Sequence, residues 1–70
     1  MPKLYSSVRI VKVLLRKGFV FISQKGSHAK FKYGRYTVII PMGRKKVPLG
    51  TLKSILRQAN LNESDLDKND

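Results

Sequence analysis

Apolar side chains recur at helical spacing near the start of the chain. The positions are Ile10, Val11, Leu14 and Leu15. Intervals of three and four residues place such side chains on one face of an α-helix. Ser6 or Ser7 can cap its start, because a serine hydroxyl accepts a hydrogen bond from a backbone N–H of the first turn. Gly18 suits the C′ position that ends a helix. The pattern therefore predicts a first helix between these serines and Gly18.

A second helical pattern lies near the other end of the chain. It consists of Leu52, Ile55, Leu56 and Ala59. We expect Thr51 to be the N-cap of this helix and Asn60 to follow its end. Asn62 is expected to begin one more helical turn, and residues 67–70 to form a frayed tail.

Between the helices the pattern changes to that of β-strands. Residues 19–24 are rich in β-forming side chains and predict a strand with apolar residues on both faces. Residues 28–33 and 36–40 predict two further strands, the last one ended by Pro41. The order α-β-β-β-α predicts a single two-layer α+β domain with its core between about residues 7 and 66. A three-stranded antiparallel sheet would carry both helices on one face.

The middle strand separates basic from apolar side chains. Successive side chains of a strand point to opposite faces. One face therefore receives Ala29, Phe31 and Tyr33, which suit a core. The other face receives His28, Lys30 and Lys32. The only histidine of the chain thus lies beside two lysines.

Charge is distributed unevenly along the chain, whose formal net charge is +11. The four carboxylate side chains are Glu63, Asp65, Asp67 and Asp70. Of the 15 lysines and arginines only Lys68 follows residue 62, so residues 1–62 hold 14 cations and no acid. Such a surface favours phosphate polymers, from which lysine and arginine release counterions. A solvated basic surface without a partner is the plainer alternative.

The residue inventory excludes several kinds of chemistry. The chain has no cysteine, so it has neither disulfides nor thiolate zinc sites. With no acid before Glu63, a two-carboxylate hydrolase and a metal site are excluded from the main body. A pair of Ser23 or Ser27 with His28 lacks a residue that would orient the ring. No apolar run reaches the roughly 18 residues of a membrane span, so we expect a cytoplasmic protein without a membrane partner.

Cleavage of RNA by its own 2′-hydroxyl fits what remains, because the substrate supplies the nucleophile. Histidine is the side chain best suited to general base or general acid catalysis near neutral pH, which makes His28 the candidate. Neighbouring lysines would stabilise the negative charge that develops on the phosphate. Residues 44–46 predict a mobile phosphate-binding loop. The expected RNA contacts are Lys25, Ser27, Lys30, Lys32, Arg44, Lys45 and Lys46. No metal or other cofactor is expected.

Two non-catalytic interpretations compete with this one. A single histidine on a strand is more often structural or a phosphate contact, and a lysine row is often only solvated. On the residues alone, a non-catalytic RNA-binding module therefore ranks first. A structural protein of a larger ribonucleoprotein is a third possibility.

Four sequence segments give the chain a family resemblance over roughly residues 7–66. They are Leu14 with Lys17-Gly18-Phe19, Gln24-Lys25-Gly26-Ser27-His28, Ile40-Pro41 and Pro48-Leu49-Gly50-Thr51-Leu52-Lys53-Ser54-Ile55-Leu56. In order and spacing they resemble the HicA (YcfA-like) family of small bacterial and archaeal toxins.

The resemblance implies a double-stranded-RNA-binding-domain-like fold and an mRNA interferase that cleaves without a metal. The family's catalytic histidine falls on His28. The implied partner is a HicB antitoxin, encoded alongside, which binds the toxin and blocks that site. Many relatives carry a second histidine two residues after the proline that ends the third strand, where this chain has Gly43.

Overall fold

Helices and strands alternate as the sequence pattern predicts, and a short third helix follows them. A computed structural model describes residues 3–67. Within these residues the elements are α1 (Ser7–Arg16), β1 (Val20–Lys25), β2 (His28–Tyr33), β3 (Tyr36–Pro41), α2 (Leu49–Ala59) and α3 (Glu63–Asp67). The strands form one antiparallel sheet in the order β1-β2-β3. The α+β class and the α-β-β-β-α order are confirmed.

Helix α1 begins and ends at the predicted residues. Ser6 is the N-cap, and its hydroxyl accepts a hydrogen bond from the Arg9 backbone N–H at 3.1 Å. After the helix, Gly18 adopts a φ of 103°, which disfavours residues that carry a Cβ. This turn lets the Phe19 N–H reach the Leu14 carbonyl at 2.9 Å, as in a Schellman motif.

Helix α2 begins three residues earlier than predicted. Its first residue is Leu49 and its N-cap is Pro48, which makes no side-chain capping bond. The prediction of Thr51 as the cap was wrong, because Thr51 already lies inside the helix. The φ of −55° at Pro48 suits a helix start, and the Pro48 carbonyl accepts from Leu52 N–H at 2.8 Å. Asn60 ends the helix in the left-handed conformation, as expected.

The core lies between the sheet and the helices α1 and α2, which contact β3. From the sheet, this layer buries Ala29, Phe31, Val38 and Ile40. Tyr33 was expected to join them, but its side chain is 52% exposed. It lies at the end of β2 and packs on Phe19 with 5.5 Å between ring centroids. A Cβ at Gly18 would come within 3.1 Å of Tyr33 Cε1, so glycine also leaves room for this ring.

Strand β1 is an edge strand and is less buried than its composition suggests. All of its residues are exposed, and Phe19 lies in the core just before it. The principal contacts of β1 are with β2, whereas the helices contact β3. The apolar side chains of β1 are therefore not covered by the helical layer.

Helix α3 packs against α1 and forms hydrogen bonds and an ion pair with residues of that helix and its C-terminal end. Its Leu66 is buried, and the Arg9 guanidinium donates to the Leu66 carbonyl at 3.0 and 3.2 Å. Lys17 pairs with Asp65 at 3.0 Å. Asn62 precedes the helix as predicted, and its N–H donates to Asp65 at 2.9 Å. Residues 68–70 of the expected tail lie outside the described residues.

Asp67, also expected in the tail, is the last residue of α3 and binds the N-terminal segment. The Tyr5 hydroxyl donates a hydrogen bond to its carboxylate, and Lys3 lies 3.3 Å from it. This hydrogen bond is the main cause that raises the pKa of Tyr5 to about 12. The same bond lowers the pKa of Asp67 below its ordinary value of 3.8.

These shifts predict a pH-dependent stability for Asp67→Asn. A carboxylate whose folded pKa is depressed stabilises the fold above its unfolded pKa and loses that contribution as the pH falls through the folded value. Urea unfolding between pH 6 and pH 2 should therefore show a wild-type advantage over Asp67→Asn that disappears at the acid end. The matched control is Glu63→Gln on the same helix. Parallel pH profiles for wild type and Asp67→Asn would contradict the assignment.

Candidate nucleic-acid interface

The sheet face turned away from the helices, here called the outer face, carries the predicted histidine and lysines. Three cross-strand rows form it: Lys25–His28–Pro41, Ser23–Lys30–Ile39 and Val20–Lys32–Thr37. The structure thus brings His28 together with three of the predicted lysines. In described residues 3–67, no carboxylate lies in these rows.

A bulge in β1 sets which side chains reach the outer face. Phe21 pairs with Phe31 and Ser23 pairs with Lys30, so Ile22 has no partner on β2. In an unbroken strand Phe21 and Lys25 would share a face, since side chains alternate with a period of two. The extra residue keeps Phe21 on the inner side and turns Lys25 outward. The strand predicted from the sequence ends at residue 24, so neither the position of Lys25 in β1 nor this bulge was predicted.

Distances along the sheet separate near lysines from far ones. Lys25 lies directly across from His28, which places their Cβ atoms about 5 Å apart. Lys30 is two residues along the strand from His28, or about 7 Å, and Lys32 is four residues along, or about 13 Å. Lys25 and Lys30 therefore flank the imidazole, whereas Lys32 extends the positive row.

The turn before His28 is held in place by local bonds. Gly26 has a φ of 58°, which suits the first position of a two-residue hairpin turn. The Gln24 side-chain amide donates to the Gly26 carbonyl at 3.0 Å. Ser27 completes the turn, and its side chain is exposed.

The loop after β3 starts beside this turn. The Met42 N–H donates to the Ser27 carbonyl at 2.6 Å. The fully buried Ser7 hydroxyl donates to the Pro41 carbonyl at 2.6 Å and accepts from the Arg44 N–H at 3.1 Å. In turn, the Ser7 N–H donates to the Arg44 carbonyl at 2.9 Å.

The Arg44 backbone is therefore bonded through both its N–H and its carbonyl, while the mobility of the rest of this loop stays a prediction. The side chain of Arg44 remains exposed, as do those of Lys45 and Lys46. The exposed cations of residues 44–46 thus follow a backbone segment that is hydrogen-bonded to Ser7 and to the turn before His28.

The residues predicted to contact RNA are not paired with carboxylates of the described part of the chain. Within residues 3–67 no hydrogen bond or ion pair is made by the side chains of Lys25, Ser27, His28, Lys30, Lys32, Arg44, Lys45 and Lys46. The carboxylates of that range all lie in α3, which packs on α1. A surface of unpaired cations remote from the acids attracts polyanions.

The tyrosines near the second hairpin turn have a structural role. Tyr33 and Tyr36 are cross-strand partners. Tyr36 accepts a hydrogen bond from the Asn60 side chain at 3.4 Å. Both residues belong to the inner-face register and lie away from the His28 row.

The shape and donor set of the site limit its chemistry. No pocket occurs in the described part of the chain, so a substrate would lie on an open face. Over the same range, no group of three or more His, Cys, Asp or Glu side chains could hold a metal ion. No helix of residues 3–67 is long and apolar enough to cross a membrane. What remains is an exposed imidazole among lysines, which can transfer a proton and bind phosphate.

Comparison with known proteins identifies one matching family. Residues 8–61 match the family model described as HicA toxin of bacterial toxin-antitoxin. The matched range includes all three rows of the outer face and the loop at residues 44–46. No curated protein matches the chain.

Deleting Ile22 tests the bulge. Without the extra residue β1 becomes a regular strand, in which the Phe21–Phe31 contact, now 5.7 Å between centroids, and the Lys25–His28 pairing are both kept. The two-residue turn fixes the register near His28. We therefore expect both contacts to persist in the deletion variant, with Phe21 still on the inner side and Lys25 still on the outer face.

The measurement is an NMR map of contacts between β1 and β2, together with urea unfolding. Ile22→Val is the control, since it preserves the residue count. Loss of either cross-strand contact in the deletion variant would contradict the assignment of Ile22 as the extra residue of the bulge.

Proposed function

Because the chain belongs to the HicA toxin family of bacterial toxin–antitoxin systems, we propose that this toxin is an endoribonuclease that cleaves mRNA in the cytoplasm. The single observation that carries the proposal is the outer face. There, an exposed His28 lies across from Lys25 and next to Lys30 in the strand. The family also implies a cognate antitoxin, which we propose to be of the HicB type.

The proposed reaction uses the 2′-hydroxyl of the RNA as the nucleophile. The 2′-oxygen forms a bond to the adjacent phosphorus while the bond from phosphorus to the 5′-oxygen breaks. The 2′-hydroxyl loses its proton to a base, and the leaving 5′-oxygen receives one from an acid. The products are a 2′,3′-cyclic phosphate and a 5′-hydroxyl. In this scheme His28 performs one of the two proton transfers, and a lysine or water performs the other.

The lysines next to His28 supply charge stabilisation. During the attack, negative charge builds on the non-bridging phosphate oxygens, and ammonium groups fixed nearby lower that barrier. Lys25 and Lys30 are the candidates by position. Their side chains are exposed, which suits binding to a flexible single strand more than deep enclosure.

The remaining basic residues would hold the RNA on either side of the cleaved phosphate. Lys32 extends the contact along β2, while residues 44–46 extend it beyond the His28–Pro41 end of the row. Ser27 has an exposed hydroxyl next to His28 and can donate to a phosphate oxygen. Together they define a path across the outer face.

A non-catalytic RNA-binding module is the second candidate function. The observation that favours it is that the His28 ring has no hydrogen-bond partner in residues 3–67 to orient it. Many relatives carry a histidine where this chain has Gly43. Because glycine has no side chain, the loop that adjoins His28 contributes no second imidazole. Both candidates share the same RNA-binding face and differ in whether His28 reacts.

Induced expression of wild type against His28→Ala separates the two. We expect growth arrest and decay of cellular mRNA with the wild type, and a loss of about 100-fold or more in cleavage rate for the variant, as for other general acid–base groups. Lys53→Ala, an exposed change on α2, is the control and should remain toxic. Thermal unfolding would verify that all three proteins are folded. Equal toxicity of wild type and His28→Ala, or equal harmlessness, would contradict catalysis by His28.

A further inference from the structure

Ser7 is the only polar residue that is buried within residues 3–67. Its hydroxyl donates to the Pro41 carbonyl at 2.6 Å and accepts from the Arg44 N–H at 3.1 Å. Burial of a hydroxyl costs free energy unless the group is hydrogen-bonded. Alanine would fill this position in α1 without that cost and has the higher helix propensity. The two hydrogen bonds of the hydroxyl are therefore what a serine adds here.

The segment that the Ser7 hydroxyl binds lies at the His28 end of the outer face. Pro41 is the cross-strand partner of His28, and its carbonyl bonds to α1 through Ser7. The next residue, Met42, donates its N–H to the Ser27 carbonyl at 2.6 Å. The chain that leaves β3 is thus bonded to α1 on one side and to the turn before His28 on the other.

The same bonds determine where the cations of the following loop begin. Arg44 is bonded to Ser7 through its N–H and through its carbonyl, which accepts from the Ser7 N–H at 2.9 Å. At the other end of the loop the buried Val47 donates its N–H to the Tyr5 carbonyl at 2.8 Å. Only residues 45–46 lie between these two points, and both are exposed lysines. Their location on the surface therefore depends on the position of Arg44.

We propose that Ser7 is a positioning residue for RNA cleavage, whose buried hydroxyl holds the loop backbone so that the cations of residues 44–46 lie beside His28. The inference rests on the proposed function, in which these cations bind RNA next to the cleaved phosphate. Ser7 itself is buried and does not touch the substrate. Cations that are already in position lose less conformational entropy when a phosphate binds. Removal of the hydroxyl therefore weakens RNA binding and leaves the proton transfer at His28 unchanged.

Ser7→Ala tests this role, because alanine removes both side-chain bonds and keeps the backbone N–H that donates to the Arg44 carbonyl. Val13→Ala is the matched control. Val13 is a buried residue of the same helix, and its truncation lowers stability without removing any of these bonds. The probes are an mRNA fragment and its 2′-O-methyl counterpart, which has no free 2′-hydroxyl and cannot be cleaved by the proposed reaction. Affinity, KM, kcat and the unfolding temperature are measured for each protein.

We expect Ser7→Ala to bind the 2′-O-methyl strand about five- to tenfold more weakly, as when one or two long side chains must be ordered on binding. KM should rise by the same factor, while kcat stays within about twofold of the wild-type value. Val13→Ala should lower the unfolding temperature and leave affinity and KM unchanged. In the loop variant Lys45→Gln/Lys46→Gln, Ser7→Ala should cause a smaller further loss, because Ser7 acts through these cations.

Equal RNA affinity of wild type and Ser7→Ala would overturn the inference. Full additivity with the loop variant would do the same, as would an equal loss of affinity in Val13→Ala, since the effect would then be one of general stability. If Ser7→Ala does not fold, Ser7→Cys replaces it in the same comparison, because a thiol is of similar size and bonds more weakly. Absence of cleavage in every protein would contradict the proposed function, while the affinities for the 2′-O-methyl strand would still decide on Ser7.

Discussion

The buried hydroxyl of Ser7 joins the helical layer to the basic face. Its side chain is fully buried, and it donates to the Pro41 carbonyl while accepting from the Arg44 N–H. Buried polar groups are costly unless they are paired, so α1, the end of β3 and the following loop are held in one arrangement. The bond from Met42 to Ser27 extends that arrangement to the turn before His28. The position of the cationic loop beside the histidine depends on this small network.

The division of charge between two sides of the molecule follows from the same architecture. Asp65 and Asp67 of α3 bind Lys3, Tyr5 and Lys17 in the helical layer. All carboxylates of residues 3–67 lie in α3, so none of them neutralises the outer face of the sheet. Self-repulsion among the lysines costs stability, and a polyanion or an acidic protein bound there would relieve it. The unpaired charges that weaken the isolated domain thus favour the binding of such a partner.

Local patterns predicted most of the fold, because they depend on residues that are close in sequence. Alternation along β2 correctly assigned the faces of His28 and Phe31, and capping rules found Ser6 and Gly18. The bulge at Ile22 was not predictable in this way, since it exists only relative to the register of β2. The exposure of Tyr33 and the anchoring of Arg44 likewise depend on contacts between distant segments. For the candidate site, the sequence predicted the residues, while pairing between strands placed Lys25 directly across from His28.

The central claim is that an open face with one histidine and neighbouring lysines cleaves RNA because the substrate brings its own nucleophile. The most direct measurement compares two RNA oligonucleotides in EDTA after the cleavage position has been mapped. One is all-ribose and the other has a single 2′-deoxy nucleotide at that position. The account predicts that only the all-ribose strand is cut, leaving a 2′,3′-cyclic phosphate. Cleavage of the deoxy-substituted strand at the same position, or loss of all cleavage in EDTA, would contradict it.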